Sequence, residues 1–494
     1  MSIARKILSN TVWQIAGKFI VVTLGIAVLK IISNYLSVSG LGEYNTVYEF
    51  LAFFGIAADL GLFTIAVKEM SQDEKNIEKI IGNILSLRTI LVISTMLLAI
   101  AAAFAIPKYA DTRIPLGVAI ASITVILSIL NGTISSVLQT KLQMHWASIT
   151  SIIGKAITLG FMIYVVFYGF PNDTETGFYY LLVAGIVGNL AMFLSTSYFV
   201  GRVTKVRYRF DIDLWKNVLI RSLPYGLALI LSTIYFRIDT LLLGFMRDQE
   251  EVGLYSFSMK ILEHFTIIPL YFMNSILPLL SRKVKEGSDR AKTIICYAFD
   301  FLAAVSVPMV VGAYVLAWPI IFALGQPALL SDLDAGYYGS DIALQILIFA
   351  LAFQFLNTLF GFVLLAVNQQ NKLLYINGFV ALFNLVTNIL VIPHYGFRGA
   401  AFTTVVSEAL ILALTFFMAR HYIKFRLNLG KFLKILISAA VMGIFVTYLK
   451  DPTYTLLQNW NLLILVPAGA IIYTIMIFLT RTVDREMLQI IKRK

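Results

Sequence analysis

The run FYYLLVAGIVGNLAMFLSTSYFV (178–200), GRVTKVRYRFDIDLWKN (201–217), VLIRSLPYGLALILSTIYFRIDTLLL (218–243) decides how the rest of the chain is read. Two apolar stretches flank a connection carrying Arg202, Lys205, Arg207, Arg209 and Lys216. Each stretch is long enough to cross ~30 Å of hydrocarbon as a helix rising ~1.5 Å per residue. A short, strongly basic connection between two such helices belongs on the cytoplasmic side of a membrane.

Outward from this point the pattern repeats along all 494 residues. Apolar stretches fall at 11–33, 43–66, 85–106, 115–139, 148–169, 178–200, 218–243, 252–279, 293–318, 343–367, 373–392, 399–418, 432–449 and 461–480. Basic residues gather on alternate connections: Arg5 and Lys6, then Lys68, Lys75, Lys79 and Arg88, Lys141, the 201–217 segment, Arg282 to Lys292, Lys372, Arg420 to Lys434, and a tail with Arg485, Lys492, Arg493 and Lys494. The opposite connections hold Lys108, Arg113, Arg247, Arg398 and Lys450. The expectation is an all-α membrane protein of about fourteen transmembrane helices, multi-pass in the cell (inner) membrane, with both termini cytoplasmic.

Composition agrees. The chain is 59% hydrophobic and 13% charged, against a charged share of about 25% in soluble domains. Its net charge of +12 sits in short loops beside anionic headgroups, so no nucleic-acid partner is expected. Cys296 is the single cysteine, which excludes a disulfide framework and a thiolate metal site. The first apolar stretch is too long for a signal-peptide core and is read as a retained helix. There is no Walker A loop, dinucleotide fingerprint or metal-spaced His/Cys cluster, so neither an enzyme nor a cofactor is expected.

The 201–217 connection separates two six-helix groups in which short motifs recur. Gly42-Glu43-Tyr44 opens helix 2 and Gly253-Leu254-Tyr255 opens helix 8, while Asn10 and Asn217 precede the first helix of their groups. Six is even, so both groups keep one orientation. That is a parallel repeat about an axis along the membrane normal, two lobes around a central cavity. The boundaries read as 1–205 for helices 1–6, 206–425 for helices 7–12, and 426–494 for a C-terminal helix pair and basic tail. The pair completes a groove or buttresses the lobe against lipid; the sequence leaves both open.

Ionisable residues within the spans carry the functional signal: Lys18, Lys30, Glu49, Asp59, Lys155, Arg237, Asp239, Lys260, Glu263, Asp300 and Glu408. At roughly 3 kcal/mol each, exposing all of them to lipid would cost on the order of 30 kcal/mol, beyond a typical stability of about 5–15 kcal/mol. Most must face one another or a hydrated cavity. Arg237 is the first candidate for an anionic headgroup, since guanidinium stays charged when desolvated and donates in pairs. Lys18, Lys155 and Lys260 are further candidates for anion contact. Asp239, Glu49, Asp59, Glu263 and His264 are candidates for coupling or gating. Each also has a structural reading as an interhelical or same-face ion pair, Lys260 with Glu263 above all. Asp300 and Glu408 read as packing or gating groups. The connection 325–341, with Asp332, Asp334, Tyr337, Tyr338 and Asp341, reads equally as a sugar-stacking surface or as membrane-edge chemistry.

Several passages resemble the polysaccharide transporter family within the multidrug, oligosaccharidyl-lipid and polysaccharide exporter superfamily. They are Asn10 to Gly17, Tyr35-Leu36 to Tyr44, Asp59-Leu60-Gly61-Leu62, Arg221-Ser222-Leu223-Pro224-Tyr225-Gly226, Arg237-Ile238-Asp239-Thr240, Val252 to Tyr255, Asn371-Lys372 and Tyr395 to Ala401. The resemblance implies a flippase that moves polyprenyl-pyrophosphate-linked oligosaccharide from the cytoplasmic to the outer leaflet by alternating access. Its implied partners are that lipid-linked cargo, membrane lipids, and polysaccharide polymerase or export machinery. Coupling to a proton or sodium gradient, or to the membrane potential, stays open. The extra helix pair is similar to the fourteen-helix lipid II flippases. A cation-coupled multidrug antiporter and a non-transporting envelope scaffold are the competing readings.

Overall fold

Hydrocarbon offers no partner for backbone N–H and C=O groups, so a chain this apolar must satisfy them within helices. The computed structural model describes residues 3–141, 143–287 and 289–482. The tail with Arg485, Lys492, Arg493 and Lys494 lies outside these, as do the side chains of Arg5, Lys6 and Arg221. Among the described residues everything regular is helical apart from one bridging pair, Asp332 with Tyr337.

Two compact units divide the chain, Met1–Gly253 and Leu254–Lys494. The first holds α1 (Ile3–Tyr35), α2 (Val38–Asp59), α3 (Leu62–Gln72), α4 (Ile77–Ala105), α5 (Ile114–Thr140), α6 (Met144–Tyr164), α7 (Thr174–Gly201), α8 (Ile212–Met246) and the start of α9 (Gln249–Phe265). The rest of α9 opens the second unit, followed by α10 (Ile267–Lys285), α11 (Arg290–Val315), α12 (Ala317–Leu324), α13 (Ser340–Ala366), α14 (Gln370–Tyr422), α15 (Leu429–Leu457) and α16 (Leu462–Leu479). Polar residues cap helices where they leave the apolar layer. Ser37, Asp173, Asp211 and Asn428 accept from the amides of Gly40, Thr176, Leu214 and Lys431 at 3.0–3.1 Å.

Twelve helical segments among the described residues are long and apolar enough to cross a membrane. One is α14, whose 53 residues reach about 80 Å, far more than one crossing needs. It bends at Gly396 (φ 57°, ψ −140°), between the stretches read as helices 11 and 12. Dividing α14 there and including the 35-residue α8, which covers the expected helix 7, recovers the fourteen expected crossings.

Three expected helices are broken in ways that hydropathy does not show. The second is interrupted at Leu60 (φ 41°) and Gly61 (φ 72°), two left-handed residues in succession. The eighth is split at Thr266 into α9 and α10, and the fifth ends in a π-helical turn at Val165–Gly169.

Close packing rests on small residues, as it must where helices gain no hydrophobic advantage over lipid. At the α6–α7 crossing a Cβ on Gly154 would stand 2.9 Å from the Gly188 carbonyl, and one on Gly188 would stand 2.6 Å from the Gly154 carbonyl. In the first unit α8 packs on α2, α3 and α4. Packing thus groups α8 with the helices that precede the 201–217 connection. In the second unit α15 lies on α11 and α16 on α15, with the Tyr473 hydroxyl donating to the Ala304 carbonyl at 2.8 Å. The far side of α16 is exposed and apolar through Leu463, Val466, Ile471, Ile475 and Phe478. That composition suits contact with lipid.

Candidate functional site

The central feature of the first unit is an ion pair between Arg237 of α8 and Glu49 of α2. Glu49 lies eleven residues into α2, about 16 Å from its start and hence near the middle of a ~30 Å apolar layer. Its side chain is 7% exposed, whereas that of Arg237 is 32% exposed. The carboxylate therefore anchors a guanidinium that remains reachable. Burying Glu49 without Arg237 would leave an uncompensated charge, the costliest arrangement such a layer offers. Asp239, two residues beyond Arg237, is itself buried.

A second pair lies at the interruption of α2. Arg88 of α4 donates to Asp59, the last residue of α2. Arg88 is 3% exposed, and its Nε and Nη1 have no hydrogen-bond partner among the described residues. Gly226 of α8 comes up against the same break: a Cβ there would stand 2.9 Å from the Leu60 Cα. Sequence reading placed Arg88 among the basic residues of the connections. Its position inside the 85–106 stretch was the available sign that it is an intramembrane charge. A third pair, Arg113 Nε to Glu43 at 2.5 Å, closes the far end of α2, with the guanidinium 4.4 Å from the Phe178 ring.

The expected lysines distribute differently. Lys18 is exposed on α1, and Lys155 is half-buried on α6. These helices pack together, with Gly17 set against Ser148. Lys155 is seven residues past Ser148, so it stands about 10 Å further along the bundle than Lys18. They form two rungs, not one cluster. Lys30 is exposed near the other end of α1.

In the second unit Lys260 Nζ lies 3.2 Å from Glu263 on the same face of α9. The Nδ1–H of His264 donates to the Lys260 carbonyl. Asp300 meets Lys431 at 3.6 Å. Buried Glu408 accepts from Gln354 Nε2 at 2.9 Å and Asn357 Nδ2 at 2.6 Å, tying α14 to α13. In the 325–341 connection Asp341 accepts from the amide and hydroxyl of Ser331, at 2.9 and 2.6 Å. The Arg398 guanidinium lies 3.8 Å from the Tyr338 ring centroid. Much of that loop's polar chemistry is spent on its own shape. Among the described residues, no group of three or more His, Cys, Asp or Glu side chains is arranged to hold a metal ion.

Comparison with known proteins places this geometry. The family model described as "Polysaccharide biosynthesis protein" matches residues 7–284, more than half of the chain. The chain belongs to that family. A second model, MatE, matches residues 224–390. The "Capsular polysaccharide biosynthesis protein CapF" of Staphylococcus aureus is 24% identical over 260 residues, which are 51% of this chain and 62% of that relative. The chain therefore matches less than two thirds of that relative's length. The solved structure titled "Lipid II flippase MurJ, inward closed conformation" aligns with a TM-score of 0.74 at 18% identity, over 95% of this chain and 99% of that one. An inward-facing multidrug resistance MATE family transporter of the MOP superfamily aligns at 0.64 and 15% identity, over 84% and 99%. The chain thus has the fold of those proteins, as the sequence resemblance implied, and its apolar helices make it a multi-pass membrane protein.

Proposed function

We propose that the protein flips polyprenyl-pyrophosphate-linked oligosaccharide from the cytoplasmic to the outer leaflet by alternating access, supplying units for cell-surface polysaccharide. The observation that carries this reading is the partly exposed Arg237 held at mid-membrane on buried Glu49. A pyrophosphate is dianionic or more and needs a cation that stays charged away from water, which guanidinium does. The glycan needs a hydrated path, while the prenyl chain stays in lipid throughout. Lys18 and Lys155, as successive rungs, suit a headgroup handed along the first unit. Lys260 serves the same cargo, with Glu263 and His264 beside it. Asp239, Glu49 and Asp59 are the proposed coupling or gating carboxylates.

In this reading both termini are cytoplasmic in the inner membrane. Residues 1–205 and 206–425 are the alternating lobes, 426–494 is their accessory pair, and polymerase or export machinery receives the product. A potential negative inside favours outward movement of such a headgroup by about 2.3 kcal/mol per charge per 100 mV. A proton or sodium gradient is the other candidate drive.

The test is reconstitution in liposomes holding a short-chain polyprenyl-pyrophosphate oligosaccharide, with its arrival in the opposite leaflet measured under an imposed potential. Protein-dependent arrival, abolished by Arg237→Gln in a monodisperse protein, supports the flippase. The second reading, a cation-coupled drug antiporter, is favoured by the MatE match. It gains if no arrival occurs under any gradient while an organic cation is exported.

A further inference from the structure

The connection after α7 is strapped along the end of α4. Gly82 permits the approach, since a Cβ there would stand 2.3 Å from the Arg207 carbonyl oxygen. The Arg209 amide donates to Ser86 Oγ at 3.1 Å and to the Gly82 carbonyl at 3.3 Å. The Asp211 amide donates to Asn83 Oδ1 at 2.8 Å. Two ion pairs add to this, Arg209 with Glu78 at 2.9 Å and Lys79 with Asp211 at 3.1 Å.

Against this strap lies a cavity of about 530 Å³, within the ~300–1,000 Å³ range of small-molecule sites. Its wall is apolar, formed by Leu85, Ile134, Phe193 and Val206. Its rim is formed by the exposed Lys205, Arg207 and Tyr208. Arg209 is neutralised by Glu78, but neither Lys205 nor Arg207 has an ion-pair partner among the described residues. Two uncompensated cations and a phenol thus stand over an oily wall, on a segment whose backbone is fixed by its neighbours.

We propose that this cavity binds one anionic amphiphile: a phosphate or pyrophosphate ester carried on an acyl or prenyl chain. A neutral lipid would leave both cations unanswered, and a free anion would leave the wall uncovered. Such ligands have two sources, the anionic phospholipids of the bilayer and the prenyl-pyrophosphate carrier of a glycan. The headgroup chemistry is shared. The site is distinct from the Arg237–Glu49 pair, and its occupancy is read without transport, so it does not depend on the flippase assignment.

The experiment measures affinity of the full chain in neutral detergent for phosphatidylglycerol and for geranylgeranyl pyrophosphate, with phosphatidylcholine and inorganic pyrophosphate as comparisons. The double variant Lys205→Gln/Arg207→Gln changes exposed side chains only. It is expected to bind both amphiphiles about 30-fold more weakly, from the loss of two near-surface cations. Ser197→Trp, on the same cavity, fills the space without altering charge and is expected to weaken both as well. Preference of the native protein for geranylgeranyl pyrophosphate identifies the glycan carrier as occupant; preference for phosphatidylglycerol identifies the bilayer lipid. Binding of phosphatidylcholine equal to that of phosphatidylglycerol, or affinities unchanged in both monodisperse variants, overturns the proposal.

Discussion

Gly42 and Gly253 lie against each other where α2 and α9 begin, and each reaches the other's helix in the same way. A Cβ on Gly42 would stand 1.7 Å from the Gln249 carbonyl oxygen, and a Cβ on Gly253 would stand 2.2 Å from that of Val38. Each carbonyl belongs to the residue four before the opposing glycine, so the contact is two-fold symmetric. These are the glycines of the recurring Gly-x-Tyr openings. The recurrence therefore has a physical basis: a self-matching backbone crossing that only glycine permits.

From this contact we expect Gly42→Val and Gly253→Val each to lower stability by about 3 kcal/mol or more through backbone overpacking. Gly132→Ala, with nothing within 4 Å of its Cβ position, should be neutral. Fluorescence-detected size exclusion after a temperature series measures this. Equal melting of Gly42→Val and Gly132→Ala would contradict the close crossing.

The Arg237–Glu49 pair calls for a double-mutant cycle. Each single change, Arg237→Gln or Glu49→Gln, strands a charge at mid-membrane and should cost about 3 kcal/mol, while the double change should cost less than the sum. Transport separates the two roles: Arg237→Gln and the double variant should both be inactive in the liposome assay, whatever their stability. Full flipping by the double variant would reduce the pair to a structural tie.

Asp59 and Arg88 make the opposite case, a buried guanidinium on a partly exposed carboxylate, with two guanidinium nitrogens unanswered among the described residues. We expect Asp59→Asn to destabilise by about 3–5 kcal/mol, because it leaves Arg88 charged and unpaired. Asp59→Leu/Arg88→Met should recover most of that loss. Denaturation midpoints in detergent of the three proteins decide it. If Asp59→Asn melts like the native chain, the pairing contributes nothing.

Hydropathy and charge bias are local quantities, and what they encode was legible. The 115–139 and 178–200 stretches correspond to α5, Ile114–Thr140, and α7, Thr174–Gly201. The kink at Gly396 fell in the expected gap between helices 11 and 12 because Pro393 and Gly396 punctuate it. The break at Leu60 was hidden, since a leucine in the left-handed region follows from packing against Gly226 and not from any propensity of its own. Site pairing was hidden for a related reason. Glu49 and Arg237 are separated by 188 residues, and a sequence shows that buried charges need partners without showing which. All three helix-2 carboxylates, Glu43, Glu49 and Asp59, turned out to hold arginines, Asp59 holding one that the loop count had absorbed.

The strap after α7 makes its last anchor, Asp211, sensitive to acid. Its carboxyl is held below the usual carboxylate range, first by the Leu214 amide it caps and then by Lys79. A depressed folded-state value means that the carboxylate supports the strap at pH above its ordinary value of 3.8. That support is lost as pH falls further, through the lowered value. We expect the amides of 203–211 to gain hydrogen exchange, corrected for intrinsic rates, between pH 5 and pH 3. Asp211→Asn keeps a capping oxygen but no charge, so it should show the raised exchange already at pH 5 and little further change. Because the same strap carries Lys205 and Arg207, its loosening should also weaken binding of the anionic amphiphile at pH 3. Exchange that is flat with pH in the native protein would mean that the amide bonds to Ser86 and Asn83 hold the strap without help from Asp211.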